Sequence, residues 1–209
     1  MSLKKLISLL VVGLSRLISG TSVRWVDYEP STAQRIYFAN HSSHLDFIVL
    51  WAALPGNIRN TIRPIAAKDY WEKNTIRRFL SEKVFNAILV ARPGAESGQR
   101  DSSKGITEMY GALGAGSSLI IFPEGTRELC GAISEFKPGL YHLAKHCPAA
   151  ELVPVFLENL NRILPKGETL PVPFLGGVTF GSPLKLKCDE SRDDFLTRAK
   201  QSIEQLMEM

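Results

Sequence analysis

Short apolar runs alternate with segments of helical periodicity along most of the 209-residue chain. Several of these runs are apolar throughout, which is typical of strands that are covered on both faces of a sheet. They predict strands at Val23–Val26, Ile36–Ala39, Ile62–Ala67, Ala87–Ala91, Ser118–Phe122, Leu152–Leu157 and Val178–Gly181. Helical spacing predicts helices at 44–54, 69–83, 99–115, 138–147 and 190–208. This alternating order predicts a layered α/β domain with a mostly parallel central sheet flanked by helices.

The amino-terminal segment has an apolar stripe of its own. Its apolar residues recur at helical spacing, at Leu3, Leu6, Ile7, Leu10, Leu14 and Leu17. Its polar residues fall on the other side, at Lys4, Lys5, Ser8, Ser15 and Arg16. The apolar stretch 6–14 is shorter than the ~20 residues that cross a bilayer, and no small-residue cleavage site of a signal peptide follows it. We therefore expect residues 1–20 to form an amphipathic helix that lies at a membrane surface or packs on the protein's own core.

Composition and charge narrow the classes of protein. The chain is 44% hydrophobic and 22% charged, which suits one domain with a sizeable core. A net charge of +4 favours an anionic partner, such as a phosphorylated substrate, an acidic lipid surface or nucleic acid. No nucleic-acid recognition motif accompanies the charge, so we expect no nucleic-acid partner. Cys130, Cys147 and Cys188 include no CxxC pair, which argues against a disulfide framework and a zinc site.

The first chemically suggestive motif follows the second predicted strand, where residues 40–46 read Asn-His-Ser-Ser-His-Leu-Asp. His41 and Asp46 can meet only if His41 precedes the helix and Asp46 falls in its first turns, because residues five apart diverge on a continuous helix. Asp46 would then hold the His41 tautomer whose free nitrogen takes a proton from a hydroxyl. Neither Ser42 nor Ser43 lies in a Gly-x-Ser-x-Gly elbow, which favours attack by a substrate hydroxyl over an acyl-enzyme.

A second motif ends the apolar strand at 118–122, where residues 122–127 read Phe-Pro-Glu-Gly-Thr-Arg. Gly125 permits a tight turn or a close approach to a ligand, and Arg127 offers a planar fork that suits bidentate phosphate binding. The turn therefore suits an anion, although Glu124 and Arg127 would also form an ordinary surface ion pair.

Together, in this order and at this distance, the two motifs resemble those of the glycerolipid acyltransferase family, specifically the 1-acylglycerol-3-phosphate (lysophosphatidate) acyltransferases. Residues 40–46 and 122–127 match the first and third family blocks in full. The second block matches as 88–92, where Ala91 replaces the usual acidic residue and Arg92 is kept. The fourth matches as Val153–Leu157, so the resemblance spans residues 35–160.

The resemblance implies an acyltransferase domain at 21–209 that transfers a fatty acyl group from coenzyme A or acyl carrier protein to the hydroxyl of a lysophospholipid. Lysophosphatidate, giving phosphatidate, is the expected acceptor. His41 would be the general base with Asp46 as its orienter. The acceptor's glycerol phosphate would be bound by Arg92, Glu124, Gly125, Thr126 and Arg127. Lys137 is a further candidate for contact with the phosphate or the thioester.

No metal or redox cofactor is expected from this resemblance, because the thioester is a co-substrate. The expected location is peripheral, on membrane lipids at the cytoplasmic face of a bacterial inner membrane.

Other interpretations of the same residues stay open in the sequence. An acyltransferase with another lysolipid acceptor stays open because Ala91 replaces the acid of the second block. A catalytically silent relative would use Arg92 and Arg127 to hold a lysolipid, and a lipid hydrolase would use the His-Asp pair to activate water. His41, His44 and Asp46 would also serve as metal ligands, but no fourth candidate lies nearby. The proline-containing stretch 159–173 predicts a surface loop or flap.

Overall fold

A seven-stranded sheet forms the centre of the protein. The computed structural model describes residues 3–91, 99–128, 132–164, 168 and 170–209, with the backbone alone at 99–104. Its strands are β1 (Ser22–Trp25), β2 (Arg35–Ala39), β3 (Ile62–Ala67), β4 (Ile88–Val90), β5 (Ser118–Ile121), β6 (Glu151–Glu158) and β7 (Gly177–Phe180). Their order is β1-β7-β6-β2-β5-β3-β4, and β6 and β7 form the antiparallel pair in an otherwise parallel array of described strands. The predicted α/β architecture is confirmed.

Helices cover both faces of this sheet. They are α1 (Leu3–Ser19), α2 (Asp46–Ala53), α3 (Gly56–Arg59), α4 (Lys68–Trp71), α5 (Thr75–Phe79), α6 (Gln99–Gly114), α7 (Gly139–His146), α8 (Leu160–Ile163) and α9 (Arg192–Met207). The single helix predicted at 69–83 is wrong, because Asn74 adopts extended backbone and its side chain caps α5 by accepting the Arg77 N–H. A π-helical turn, Leu80–Val84, continues α5. The short α8 lies within the stretch predicted as a loop.

The core divides into two apolar clusters, one on each face of the sheet. Alternate residues of β2 point to opposite faces, so Tyr37 belongs to the cluster beneath α2, whereas Phe38 belongs to the cluster beneath α7 and α9. Every residue of β2 is buried. The continuously apolar run 36–39 within β2 is therefore explained by cover on both faces.

The amino-terminal helix packs on α2 and the π-helical turn through one face and exposes the other. The packed face contains Val12, Ser15 and Ser19, so the prediction that Ser15 lies on the polar side is wrong. The leucine row, defined as Leu3, Leu6, Leu10, Leu14 and Leu17, is 42–79% exposed. Among the described helices, none combines the length and apolar character needed to cross a membrane.

The sheet order places the two sequence motifs side by side. Strands β2 and β5 are parallel neighbours, with Phe38 opposite Ile121. His41 and Glu124 each lie three residues beyond that pair, so both turns leave the same edge of the sheet. This edge, at the carboxyl ends of parallel strands, is where open α/β sheets bind their ligands.

Candidate active site

The His41 imidazole and the Asp46 carboxylate are in contact. Nδ1 of His41 lies 2.8 Å from Oδ2 of Asp46. The same oxygen accepts the backbone N–H groups of Ser42 at 2.6 Å and Ser43 at 2.8 Å. Asp46 is fully buried, whereas the His41 side chain is 23% exposed. The carboxylate is thus held by the turn that precedes α2, and it leaves Nε2 of His41 on the side away from Asp46.

Contacts with other parts of the chain hold this turn in place. The Asn40 amide donates to the Leu157 carbonyl at 3.0 Å and accepts the Leu157 N–H at 2.7 Å, which ties the turn to the end of β6. The Ser43 hydroxyl donates to the Leu164 carbonyl at 2.9 Å. The His41 ring stacks on Phe122 with a centroid distance of 4.3 Å. The position of the imidazole is therefore set by three different parts of the chain.

Glu124 lies behind His41 and is only 3% exposed. Its Oε1 accepts the backbone N–H of His41 at 2.6 Å. Its Oε2 accepts the Ser134 N–H at 3.0 Å and the Ser134 hydroxyl at 2.9 Å. The Glu128 N–H donates to the His41 carbonyl at 2.9 Å. Both carboxylate oxygens of Glu124 are therefore bonded within the protein, and its role in acceptor binding stays a prediction.

The remaining described residues that were predicted to bind substrate are Gly125, Thr126, Arg127 and Lys137. Gly125 has a φ of +74°, which favours glycine, and the Lys137 side chain passes over it so closely that an added Cβ would lie 2.6 Å from Cε. Thr126 is exposed and Arg127 is half-buried. Arg92 lies outside the described residues. Their roles in substrate binding stay predictions.

Two cavities open on His41. The larger, of about 320 Å³, has mainly apolar walls that include Val90, Met109, Ile121, Phe122, Leu140 and Leu143, with Gly125 and Lys137 also lining it. The smaller, of about 80 Å³, has mixed walls, in which Arg127 and His44 stand beside aromatic and aliphatic residues, namely Phe47, Ile65, Ala66, Ala67, Tyr70, Trp71 and Phe122. His41 thus lies between an apolar compartment and a smaller one of mixed character that contains Arg127. Across the described part of the chain, no three His, Cys, Asp or Glu side chains are grouped as metal ligands.

Two residues at this site, Ser134 and Tyr70, were not predicted from the sequence. Ser134, which donates twice to Glu124, lies in a loop with no recognisable motif. Tyr70 lies on α4, outside both motifs, and reaches the site because β3 is the neighbour of β5. No local sequence signal identifies either residue, since both depend on which strands are adjacent.

The chain is similar in sequence to known acyltransferases. A family model described as Acyltransferase matches residues 22–158. The 1-acyl-sn-glycerol-3-phosphate acyltransferase of Limnanthes douglasii is 29% identical over 170 residues, which cover 78% of this chain and 56% of that protein. Taffazin of Dictyostelium discoideum is 27% identical over 148 residues, which cover 68% of this chain and 50% of that protein. The chain therefore spans about half the length of these curated relatives.

A solved structure supports the fold. The crystal structure of the 1-acyl-sn-glycerophosphate (LPA) acyltransferase PlsC from Thermotoga maritima matches with a TM-score of 0.76 at 18% sequence identity. The match covers 98% of this chain and 80% of that chain. The family model includes both turns that meet at His41, and it extends over most of the chain. The resemblance seen in the sequence is confirmed, and the chain belongs to the acyltransferase family.

Proposed function

We propose that this protein transfers a fatty acyl group from a thioester of coenzyme A or acyl carrier protein to the free hydroxyl of lysophosphatidate, giving phosphatidate. The observation that carries the proposal is the 2.8 Å contact between His41 and Asp46, with His41 also lining a large apolar cavity. Family membership and the similarity to the 1-acyl-sn-glycerol-3-phosphate acyltransferase of Limnanthes douglasii support the same reaction.

The proposed chemistry needs one base and no acyl-enzyme. With Nδ1 donating to Asp46, Nε2 of His41 is the basic nitrogen and takes the proton from the acceptor hydroxyl as its oxygen attacks the thioester carbonyl. The tetrahedral intermediate collapses by breaking the carbon–sulfur bond. The departing sulfur then takes the proton back from the imidazolium. Asp46 keeps the tautomer and stabilises the transient positive charge on His41.

The two cavities offer separate places for the two substrates. A fatty acyl chain needs a long apolar environment, which the cavity of about 320 Å³ supplies. A phosphate needs fixed cations, which the smaller cavity supplies through Arg127. Because His41 lines both, the acceptor hydroxyl and the thioester carbonyl would meet at Nε2. In this mechanism the thioester is a co-substrate, and neither a metal nor a redox cofactor takes part.

The amino-terminal helix would bring the enzyme to its lipid substrate. Its leucine row faces outward, and the helix carries Lys4, Lys5 and Arg16 but no acidic residue. Exposed leucines beside cations suit the interface of an anionic bilayer. We therefore propose peripheral binding to the membrane through α1, with the domain body beginning at residue 21.

The direct test is to offer the purified protein a panel of lysophospholipids in vesicles, with acyl-coenzyme A or acyl carrier protein thioester as donor. Mass spectrometry of the lipids should then detect phosphatidate from lysophosphatidate with at least one donor. A different acylated product would keep the reaction type but identify another lysophospholipid as the acceptor. Lysolipid binding without a product from either donor would contradict the proposal and indicate a silent binder, whereas release of free fatty acid alone would indicate a hydrolase.

A further inference from the structure

A short loop that leads into β7 exposes several large apolar side chains. This apolar loop, defined as residues 170–175, reads Leu-Pro-Val-Pro-Phe-Leu. Its exposed fractions are 80% for Leu170, 59% for Val172, 41% for Phe174 and 75% for Leu175. Exposed apolar residues that are scattered singly need no explanation, but four of them within six positions form a patch. Such a patch indicates a contact surface.

The backbone of the apolar loop is bonded inward while its side chains face outward. The Val172 N–H donates to the Ile163 carbonyl at 2.8 Å. Pro171 and Pro173 have no N–H to donate. From 171 to 173, therefore, no backbone N–H is available to pair with an added strand. None would lose a water partner on entering an apolar phase either, which is the usual cost of burying backbone in lipid.

The apolar loop lies next to the carboxyl end of α1. The Gly176 N–H donates to the Ser19 carbonyl at 2.8 Å. The Leu175 side chain packs on Gly20, where an added Cβ would lie 2.9 Å from it. Leu17, the last member of the leucine row, precedes Gly20 by three residues. The exposed apolar residues of the loop therefore continue the apolar surface that begins on α1.

The apolar loop also lies at the edge of the sheet that carries His41. Strands β6 and β7 are antiparallel, with Glu158 opposite Gly177, so β7 begins where β6 ends. The Asn40 amide joins the His41 turn to Leu157 at this same end of β6. The loop before β7 and the turn that holds His41 thus leave the sheet at one edge.

We propose that the apolar loop is a second membrane contact, which inserts into the bilayer beside α1. This inference rests on the peripheral binding proposed above. Apolar side chains on a fixed backbone enter a fluid lipid phase without a matching groove, which a protein partner would have to supply. Arg162, whose Cζ lies 5.4 Å from the centroid of the Phe174 ring, offers a cation to lipid phosphates at the base of the loop. Two contacts fix the orientation of the enzyme, with the edge that carries His41 at the interface.

Vesicle binding of the full chain, with no substrate present, tests this contact. The double variant Leu170→Ser, Val172→Ser removes two exposed apolar side chains and keeps both prolines. Its binding to phosphatidylglycerol vesicles is measured by sedimentation, with the melting temperature in parallel. The matched control is Met207→Ser with Met209→Ser, because the neighbouring Leu206 packs on Gly181, beyond the opposite end of β7.

A separate variant, Val172→Trp, reports where the loop lies. The fluorescence that it adds to that of the parent should be quenched by vesicles whose lipids carry bromine on their acyl chains. Fluorescence that such vesicles leave unchanged would place the loop in water and overturn the proposal.

We expect the double variant to bind vesicles at least about tenfold more weakly than the parent, with a similar melting temperature, and the control to bind like the parent. Unchanged vesicle binding would overturn the proposal. If the same variant also dissociated a dimer, the loop would contact a second copy of the chain. If it instead lowered kcat with lysophosphatidate dispersed in detergent, the loop would be a flap over the site.

The failure of this inference is distinguishable from that of the acyl-transfer proposal. A parent protein that forms phosphatidate in detergent but does not sediment with vesicles would overturn the membrane contact and leave the reaction standing. A parent that sediments, and whose double variant does not, would support the contact even if no phosphatidate were formed.

Discussion

At the scale of single residues, Glu124 shows how a motif residue acts on its neighbours. Its carboxylate bonds to the backbone of His41 and to Ser134, and it lines neither cavity. In Glu124→Gln, one carboxylate oxygen becomes an amide NH₂ group that faces the N–H of His41 or of Ser134. That buried N–H then has no acceptor, which costs about 1–3 kcal/mol. We expect kcat to fall about tenfold or more while the KM for the acceptor changes little, measured by steady-state kinetics in both substrates.

A matched substitution separates this effect from a general loss of charge. Glu135 is 87% exposed and pairs with Lys200 on α9, so Glu135→Gln should leave both constants unchanged. If Glu124→Gln instead raised the acceptor KM at constant kcat, Glu124 would bind the acceptor, as the family resemblance implies.

The residues that the sequence could predict are those whose partners are close along the chain. His41 and Asp46 are five positions apart across a helix start, so a turn and one helical residue decide their contact. The bond from His41 to Glu124 joins residues that are 83 positions apart and depends on β2 and β5 being neighbours. Nothing in either motif specifies that pairing, so sequence reasoning from the residues alone could only suggest that the two strand ends meet.

At the scale of elements, α1 packs on the core through one face and leaves an apolar row exposed on the other. Its packed face covers α2, and its leucine row faces outward. Periodicity could not separate these faces, because residues such as Leu9, Val11 and Val12 make the helix apolar over much of its circumference. The tertiary contacts of Val12, Ser15 and Ser19 decide which side is inward.

Because the leucine row is exposed, replacing its residues should weaken membrane binding without destabilising the fold. In the triple variant Leu10→Ser, Leu14→Ser, Leu17→Ser, each lost leucine removes about 1.5–3 kcal/mol of possible burial in lipid. Vesicle sedimentation with anionic lipid should therefore fall by more than about tenfold, whereas the melting temperature should stay near that of the parent. These leucines are 63%, 58% and 79% exposed.

The control for this experiment is the pair Met207→Ser and Met209→Ser, at the end of the chain, where two similarly exposed apolar residues lie away from α1. That variant should sediment like the parent. Unchanged sedimentation of the triple leucine variant would remove α1 from the membrane contact.

At the scale of the whole molecule, α9 closes one face of the sheet, and an ion pair ties it to the loop that precedes it. Phe195, Ala199 and Ile203 are fully buried in the cluster beneath it. Arg198 donates through two nitrogens to Glu190, each at 2.7 Å, and also donates to the Lys185 carbonyl at 2.9 Å. The apolar periodicity of 190–208 predicted this helix, but it could not specify which face of the sheet the helix covers.

The ion pair between Arg198 and Glu190 predicts how the free energy of unfolding depends on pH. The hydrogen bonds from Arg198 hold the pKa of Glu190 below its ordinary value of 4.5. A lowered folded-state pKa stabilises the folded protein above the ordinary value, and the effect is lost as the pH falls through the lowered pKa. Arg198→Gln should therefore lower the free energy of unfolding by about 1–2 kcal/mol at neutral pH, measured by denaturant titration.

The difference between parent and Arg198→Gln should shrink as the pH falls below 4.5. Arg192→Gln is the control, because Arg192 and its partner Asp193 are 54% and 78% exposed and their pair should contribute little. If the difference in unfolding free energy between parent and Arg198→Gln stayed constant down to strongly acidic pH, Arg198 would act through packing rather than through Glu190.

His41 is proposed as the base for acyl transfer, and a comparison of three proteins tests that role. The initial rate of phosphatidate formation from lysophosphatidate and an acyl thioester is measured for the parent, for His41→Ala and for His142→Ala, whose imidazole is exposed on α7. Loss of a general base predicts a rate about 10²–10⁴-fold lower for His41→Ala, with the His142→Ala rate unchanged. If His41→Ala formed phosphatidate at the parent's rate, His41 would not be the base.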